Sequence, residues 1–477
     1  MADRDGSDAP SAPVRAETVA GDGGAKPTNV RMLVLALSCG VSFVLYLHRY
    51  VWGFVKKDVQ DEFGWNAETL GWLDGLFPAS YGVSQIPIGM FCDWFGSHLL
   101  LGAMILAWSL ALAGTAWANT PVSMAGVRLT FGLAQSGCYP ALAKVSKNWF
   151  PVDVRSTAQG LIATFFGRGG GAMSFVLFGT VLVGWLEIPW RRAVGVFTLV
   201  GLAAGASFLL LFRNTPREHP WANAAEAELI AAGDPHAAYA TRSRVRWAAL
   251  LGSRTILFLF ARSFASNMAD VLFVYWVPLY LRTEKEAGIS SAGWMAALPL
   301  VGGAFGGVAS GMIQSHLIRS LGWRRWARAT VGMTGKLLAA ATIVSCAFPH
   351  DAMTVVCTFM AVKFFADCDQ PAEWGALSDV AGRNAATVFA CVNTVGSLGG
   401  FVAGPLMGSL LLSFSGSNQP TAAGWNALFL VTALEYVTAA ACWPFIDCGR
   451  PLDLSSSPGP SSPPSSGPRR RPDRRAP

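Results

Sequence analysis

Charged residues are scarce in this 477-residue chain: they make up 14% of it, against 52% hydrophobic residues. A soluble protein has about 25% charged residues, so this composition indicates a membrane protein. The sequence also lacks a P-loop, an HExxH zinc motif and a serine-nucleophile elbow. We therefore expect neither an enzyme nor a bound cofactor or metal.

Paired cysteine motifs and an apolar signal core are absent as well. The nine cysteines form no CxxC pair and lie almost entirely in apolar stretches, which predicts packing residues without disulfides. Residues 1–28 lack an apolar core, so the first membrane span itself must direct insertion. The net charge of +7 comes from loops and the C-terminal tail, where it sets topology or contacts anionic lipid. We expect no nucleic-acid partner.

Long apolar runs fill most of the chain. Each run has about 20 residues or more, enough to cross a hydrocarbon core of about 30 Å as a helix. Twelve such windows, named spans 1 to 12, lie at 31–54, 70–92, 99–118, 122–144, 157–184, 193–212, 255–281, 292–314, 327–347, 352–375, 385–413 and 424–446. The predicted fold class is an all-α membrane protein with twelve transmembrane helices.

The longest internal loop divides the spans into six and six. We predict a disordered N-tail (1–28), an N-terminal six-helix bundle (29–212), a central loop (213–253), a C-terminal six-helix bundle (254–447) and a disordered basic tail (448–477). The division into six and six spans suggests a duplication, in which the two bundles are pseudo-repeats of each other.

Loop charges predict the orientation. Most loop lysines and arginines lie on the side of the termini, and Lys56 and Lys57 are among the few assigned to the other side. Both termini, the central loop and the C-terminal tail are therefore predicted to be cytoplasmic, in a multi-pass protein of the inner membrane.

The two halves echo each other in sequence. Gly89, Asp93 and Gly96 follow span 2, while Gly311 and Gly322 occupy the matching place after span 8. Transporters built from repeated bundles show such echoes and bind their substrate near the midplane between the bundles.

Arg49 and Arg128 lie inside apolar windows, where one arginine costs roughly 2.5–3.5 kcal/mol at the bilayer centre. Counting residues from the end of each window places both roughly 7–10 Å below the same surface. Two guanidiniums facing one cavity would bind a carboxylate or a phosphate between them. The alternative is that each side chain reaches outward to the lipid headgroups.

Other polar residues in the spans are candidates for binding or coupling. Tyr46 shares a helix face with Arg49, and His48 either titrates or is a buried neutral histidine bonded to a carbonyl. Intramembrane carboxylates commonly relay protons or bind a coupling cation, although Lys363 and Asp367 are spaced to form a structural ion pair. The candidates for coupling are His48, Asp74, Asp270, Asp367, Asp369 and Glu373.

Several motifs together resemble the major facilitator superfamily and, within it, the anion:cation symporter family. They are Gly89-x-x-x-Asp93-x-x-Gly96, Tyr46-Leu-His-Arg49, Arg128-x-x-x-Gly132-x-x-Gln135-Ser-Gly-x-x-Pro140 and Asn393-Thr-Val-Gly-Ser-Leu-Gly-Gly400. The resemblance implies two rocking six-helix bundles around a central site. It also implies that Arg49 and Arg128 bind the substrate carboxylate, that Tyr46, Tyr81 and Asn393 contact the rest, and that the Gly89 motif is a conformational loop.

Two positions depart from the family pattern. Proton symporters of the family often have an acid directly before the span 1 arginine and a glutamate in span 4, where this chain has His48 and Gln135. Either one of the coupling candidates has taken over that role, or the protein is an exchanger or uniporter.

The sequence predicts a secondary transporter that moves a small organic anion, such as a hexuronate or aldonate, by alternating access. The alternatives are an organophosphate or inorganic-phosphate antiporter and, from another class, a transporter-like membrane sensor. The expected partners are the anion and the lipid bilayer, and the expected state is a monomer.

Overall fold

The computed structural model describes residues 26–231, 246–322, 324–348, 351–381, 385–415, 420–449 and 452, and in these residues the regular structure is helical, without strands. Most of the two predicted disordered tails lies outside the described residues. The helices follow the predicted windows. Span 1 is Val30–Phe63; spans 2 and 3 form Ala67–Trp117; span 4 is Pro121–Gln135 and Cys138–Trp149; span 5 is Val152–Gly160, Leu161–Phe166, Gly167–Ser174 and Phe175–Trp185; span 6 is Trp190–Leu211; span 7 is Arg254–Val271, Leu272–Trp276 and Val277–Thr283; span 8 is Ile289–Leu321; span 9 is Arg324–Val344; span 10 is Ala352–Asp367 and Gln370–Ala381; span 11 is Ala385–Ser415; and span 12 is Ala422–Cys442.

Nine helical stretches in the described part of the chain are long and apolar enough to cross a membrane. The stretches that fall short are spans 2, 4 and 10. Spans 4 and 10 are each broken into two shorter helices, and span 2 contains Pro78 and Pro87. These spans also carry Asp74, Arg128 and Asp367, so the interruptions occur where polar residues replace apolar ones.

The turn between spans 2 and 3 depends on a glycine. Gly96 has φ 77° and ψ 162°, a conformation that L side chains rarely adopt. A Cβ at this position would also lie 2.9 Å from Nδ2 of Asn214, whose Oδ1 accepts a hydrogen bond from the His98 backbone at 2.9 Å. The last glycine of the Gly89 motif therefore joins this turn to the start of the central loop. The Asp93 side chain lies outside the described residues.

The two bundles pack closely at the face opposite the termini, which we call the distal face. Span 2 begins and span 11 ends there, and a Cβ on either Gly71 or Gly404 would lie 2.4 Å from the carbonyl oxygen of the other glycine. Arg282 of span 7 donates to both carboxylate oxygens of Asp58 in span 1, at 2.7 and 3.0 Å. Backbone contact and a bidentate ion pair thus close the distal face.

At the opposite end, the central loop caps span 1. The buried side chain of Glu226 accepts hydrogen bonds from the backbone N–H groups of Val30 at 3.2 Å and Arg31 at 3.0 Å, and from the hydroxyl of Thr28. A carboxylate at this position satisfies free helix N–H groups and is attracted by the positive end of the helix dipole. The first part of the predicted polar loop is therefore an ordered contact.

We predict that Glu226→Gln lowers the free energy of unfolding by about 1–2 kcal/mol, because the amide loses the charge and places a donor against other donors. Thermal unfolding of the purified protein in detergent measures this as a lower Tm. Glu228→Gln is the matched control, since Glu228 is exposed on the same short helix. Equal Tm values for the two variants would contradict the capping role.

Candidate functional site

Arg49 lies on a half-buried face of span 1, among aromatic rings. Its Nε donates to Oε1 of Gln135 in span 4 at 3.0 Å. Its guanidinium carbon lies 4.9 Å from the ring centre of Tyr46, 4.8 Å from that of Phe77 and 4.9 Å from that of Tyr81. The rings supply cation–π attraction without neutralising the charge.

Arg128 is more deeply buried, with 3% of the residue exposed. Its Nε donates to the Leu73 carbonyl at 3.2 Å, and its guanidinium carbon lies 5.3 Å from the ring centres of both Phe77 and Tyr275. Tyr275 belongs to span 7 of the other bundle. The Phe77 ring contacts both arginines, so the structure brings the two predicted cations to one site that the opposite bundle helps to cover.

Neither arginine has an acidic partner among the residues that the structure describes. In each, one terminal nitrogen, Nη2, is buried without a hydrogen-bond partner in the described part of the chain. Both guanidiniums lie among rings inside the protein rather than at a headgroup surface. Span 1 continues as a helix to Phe63, beyond the predicted end at 54.

Lys56 is inside the protein, and its predicted place in an external loop was wrong. It is fully buried, and its Nζ lies 2.6 Å from Oδ2 of Asp74 and 3.7 Å from the ring centre of Trp276. Asp74 also accepts from the indole N–H of Trp52 at 2.7 Å. The coupling candidate Asp74 is therefore held in an ion pair within the N-terminal bundle.

His48 points away from the arginine site. Its Nε2 lies 2.9 Å from the Phe197 carbonyl of span 6, and its Nδ1 is buried with no hydrogen-bond partner among the described residues. Of the two interpretations that the sequence left open for His48, this geometry matches a histidine bonded to a carbonyl.

Four charged side chains form a buried cluster inside the C-terminal bundle, which we call the closed cluster. Asp369 accepts from Arg262 Nε at 2.9 Å, from Trp443 at 2.8 Å, and pairs with Lys336 at 3.2 Å. Arg262 also pairs with Glu373. Two cations therefore meet two carboxylates inside one bundle, and the coupling candidates Asp369 and Glu373 belong to this balanced cluster.

A second charge cluster joins the two bundles, and its members define what we call the interface quartet: Arg168, Asp270, Lys363 and Asp367. Arg168 of span 5 lies 2.9 Å from Oδ2 of Asp367 in span 10 and donates to Gln370 at 2.7 Å. Lys363 lies 2.6 Å from Asp270 and 2.8 Å from Asp367. The Asp270 side chain is 40% exposed, so this cluster, unlike the other, is open on one side.

Arg168 is the residue of this cluster that the sequence analysis did not select. It lies in the run Gly167-Arg168-Gly169-Gly170-Gly171 of span 5. A Cβ on Gly167 would lie 2.9 Å from the ring of Tyr46, so the run does pack closely against span 1. An arginine within a glycine run, with carboxylates on a distant span, is the signal that could have identified it.

Tyr81 and Asn393 lie where spans 2 and 11 meet. Tyr81 is largely buried and stacks on Phe77, with ring centres 5.6 Å apart. Asn393 is half-buried and precedes Thr394, whose hydroxyl donates to the Gly82 carbonyl at 3.3 Å. These contacts bring span 11 beside the ring that Arg49 and Arg128 share.

Comparisons with known proteins agree with this architecture. Residues 38–404 match the Major Facilitator Superfamily. The chain is 26% identical to a probable sulfoacetate transporter (SauU) of Cupriavidus necator, over 80% of this chain and 87% of that protein. It is 27% identical to the probable galactarate/D-glucarate transporter GarP of Escherichia coli K12, over 88% and 95%. It is 26% identical to a D-galactonate transporter of Escherichia coli O6:H1, over 87% and 96%.

Solved structures show the same fold. A bacterial homolog of the human lysosomal transporter Spinster, in an inward-facing and occupied conformation, gives a TM-score of 0.67 at 17% identity, over 89% of this chain and 97% of that chain. The nucleoside transporter NupG gives 0.64 at 12% identity, over 88% and 99%. The predicted twelve-helix fold class and the resemblance to sugar-acid carriers are confirmed. The protein is a multi-pass membrane transporter, not an enzyme, and it belongs to the Major Facilitator Superfamily.

Proposed function

We propose that this protein transports a sugar acid by alternating access, with the substrate carboxylate bound by Arg49 and Arg128. The observation that carries this proposal is the pair of buried guanidiniums that lack any acidic partner among the described residues and share the Phe77 ring. A carboxylate supplies the missing hydrogen bonds and the missing charge. The relatives named for galactarate, glucarate and galactonate support this substrate class.

Hydroxyl groups of a sugar acid would meet the polar residues around Arg49. Gln135 holds Arg49 through Oε1 and the Leu45 carbonyl through Nε2, at 3.0 and 3.1 Å. Tyr46 and Tyr81 present rings and hydroxyls at the same place, and Asn393 approaches from span 11. The N-terminal bundle would thus bind the acid group, and residues of both bundles would contact the hydroxyl groups of the substrate.

The closed distal face limits the stage of the transport cycle. We propose that the termini lie in the cytoplasm and that the protein is a monomer in the inner membrane. In this orientation the distal face is the outer one, so the site is closed to the outside. To open outward, the bundles must separate Arg282 from Asp58 and Gly71 from Gly404, and Tyr275 must leave Arg128. Rigid-body rocking of the two bundles would accomplish all three changes.

Asp367 and Asp270 are the coupling residues that we favour. Asp367 pairs across the interface with Arg168, and Asp270 is linked to it through their shared partner Lys363. When the bundles move, the pair with Arg168 must break. The two carboxylates then share Lys363 alone, so one of them can take up a proton. Asp74, Asp369 and Glu373 lack such a partner in the opposite bundle among the described residues.

We predict that Arg49→Ala and Arg128→Ala each reduce sugar-acid uptake at least about tenfold, because each removes charge-assisted hydrogen bonds to the carboxylate. Uptake of radiolabelled galactarate and galactonate into proteoliposomes measures this. Arg192→Ala is the control, since Arg192 is exposed at the distal face. Normal uptake by an Arg49→Ala/Arg128→Ala double variant that elutes as a folded protein would refute the assignment.

We also predict that Asp367→Asn abolishes the dependence of uptake on external pH, because the amide cannot exchange a proton when Arg168 leaves. Glu373→Gln, within the closed cluster, and His48→Ala, at the Phe197 carbonyl, should both keep this dependence. Initial uptake rates over a pH series, with and without an imposed pH gradient, provide the measurement. Loss of the pH dependence in His48→Ala, with retention in Asp367→Asn, would assign coupling to the histidine.

A further inference from the structure

Among the residues that the structure describes, the buried cations of the spans are paired with carboxylates except at the arginine site. Lys56 is paired with Asp74 in the N-terminal bundle. In the interface quartet two cations face two carboxylates, and the closed cluster of Arg262, Lys336, Asp369 and Glu373 is balanced in the same way. Arg49 and Arg128 remain, without an acidic partner among the described residues.

Glu435 does not offset this excess. It lies on span 12 with 6% of the residue exposed, and neither of its carboxyl oxygens has a hydrogen-bond partner among the described residues. Glu435 therefore forms no ion pair with Arg49 or Arg128. The arginine site therefore holds two positive charges that the protein does not neutralise.

The groups that accept hydrogen bonds from the two arginines are neutral. Arg49 is held by the amide of Gln135, and Arg128 by the backbone carbonyl of Leu73. The remaining neighbours are aromatic rings. A carboxylate at position 135 would halve the excess charge, and this chain has an amide there.

Transport requires the site to close around its solute in a medium of low dielectric constant. Uncompensated charge is costly in such a medium, and the cost rises steeply with the number of unpaired charges. A solute with one negative charge would leave one cation unneutralised when the site closes. A solute with two negative charges would cancel both.

We propose that the physiological solute is a dianion, a short molecule with two acidic groups such as an aldarate or a sulfonated carboxylate. This inference rests on the proposed function and narrows its substrate class. The two charges of the solute neutralise Arg49 and Arg128, while the polar residues around Arg49 contact its uncharged hydroxyl groups. Some relatives carry names that fit this class, galactarate and sulfoacetate, and another is named for the monoanion galactonate. A phosphate monoester shares the dianion chemistry.

Competition for uptake tests the preference. Proteoliposomes containing the full chain take up radiolabelled galactarate in the presence of unlabelled galactarate, galactonate, sulfoacetate or glycerol 3-phosphate at pH 7, where both carboxyls of galactarate are ionised. Galactarate and galactonate share a six-carbon backbone and differ in charge. The ratio of the concentrations at which they inhibit uptake therefore measures the effect of the second charge. We expect galactarate to compete at least about tenfold better than galactonate. Competition by glycerol 3-phosphate shows whether the site accepts a phosphate ester as well as a dicarboxylate.

A charge substitution provides the second arm. Gln135→Glu places one negative charge beside Arg49, and we expect it to shift the galactarate-to-galactonate ratio at least about tenfold toward the monoanion. Gln135→Leu is the matched control: it removes the same amide hydrogen bonds, adds no charge, and should weaken both solutes while keeping the ratio.

The outcomes separate this inference from the function on which it rests. Uptake of galactonate equal to that of galactarate, together with an unchanged ratio in Gln135→Glu, would overturn the dianion proposal and leave sugar-acid transport intact. Absence of uptake and of competition by every carboxylate tested would instead overturn the proposed function.

Discussion

A guanidinium in the membrane interior cannot escape its charge, because arginine does not release its proton in a protein. Everything around Arg49 and Arg128 follows from this constraint. The rings of Tyr46, Phe77, Tyr81 and Tyr275 stabilise the cations without cancelling them, and the polar contacts that the structure shows come from neutral groups. The function proposed above gives these two cations the partner that the described residues do not supply, a bound anion.

The remaining ion pairs of the spans serve a different purpose. Lys56 with Asp74, and the cluster around Asp369, lie within single bundles and keep each bundle rigid as it moves. The interface quartet crosses from span 5 to span 10 through the pair of Arg168 with Asp367, and its Asp270 is partly exposed. An ion pair within one bundle can stay intact while the bundles move. The pair of Arg168 and Asp367 joins the two bundles, so rocking of the bundles would break it.

The sequence predicted the fold well because hydrophobic length alone defines most membrane spans, and the windows around spans 6, 9 and 12 agree closely with the helices. It also selected Arg49 and Arg128, since a charge in an apolar run is conspicuous. Lys56 was misplaced because span 1 extends beyond its apolar window. Arg168 was overlooked because its partner is 199 residues away in the chain, and a one-dimensional pattern does not show which spans face each other.

The contact between Gly71 and Gly404 has a further consequence. It joins main chain to main chain, with no side chain to ionise, oxidise or change rotamer. This part of the seal therefore responds neither to acidity nor to ionic strength, whereas the neighbouring Arg282 and Asp58 pair is weakened by salt. The distal face therefore combines one contact that is insensitive to salt and acidity with one that depends on charge.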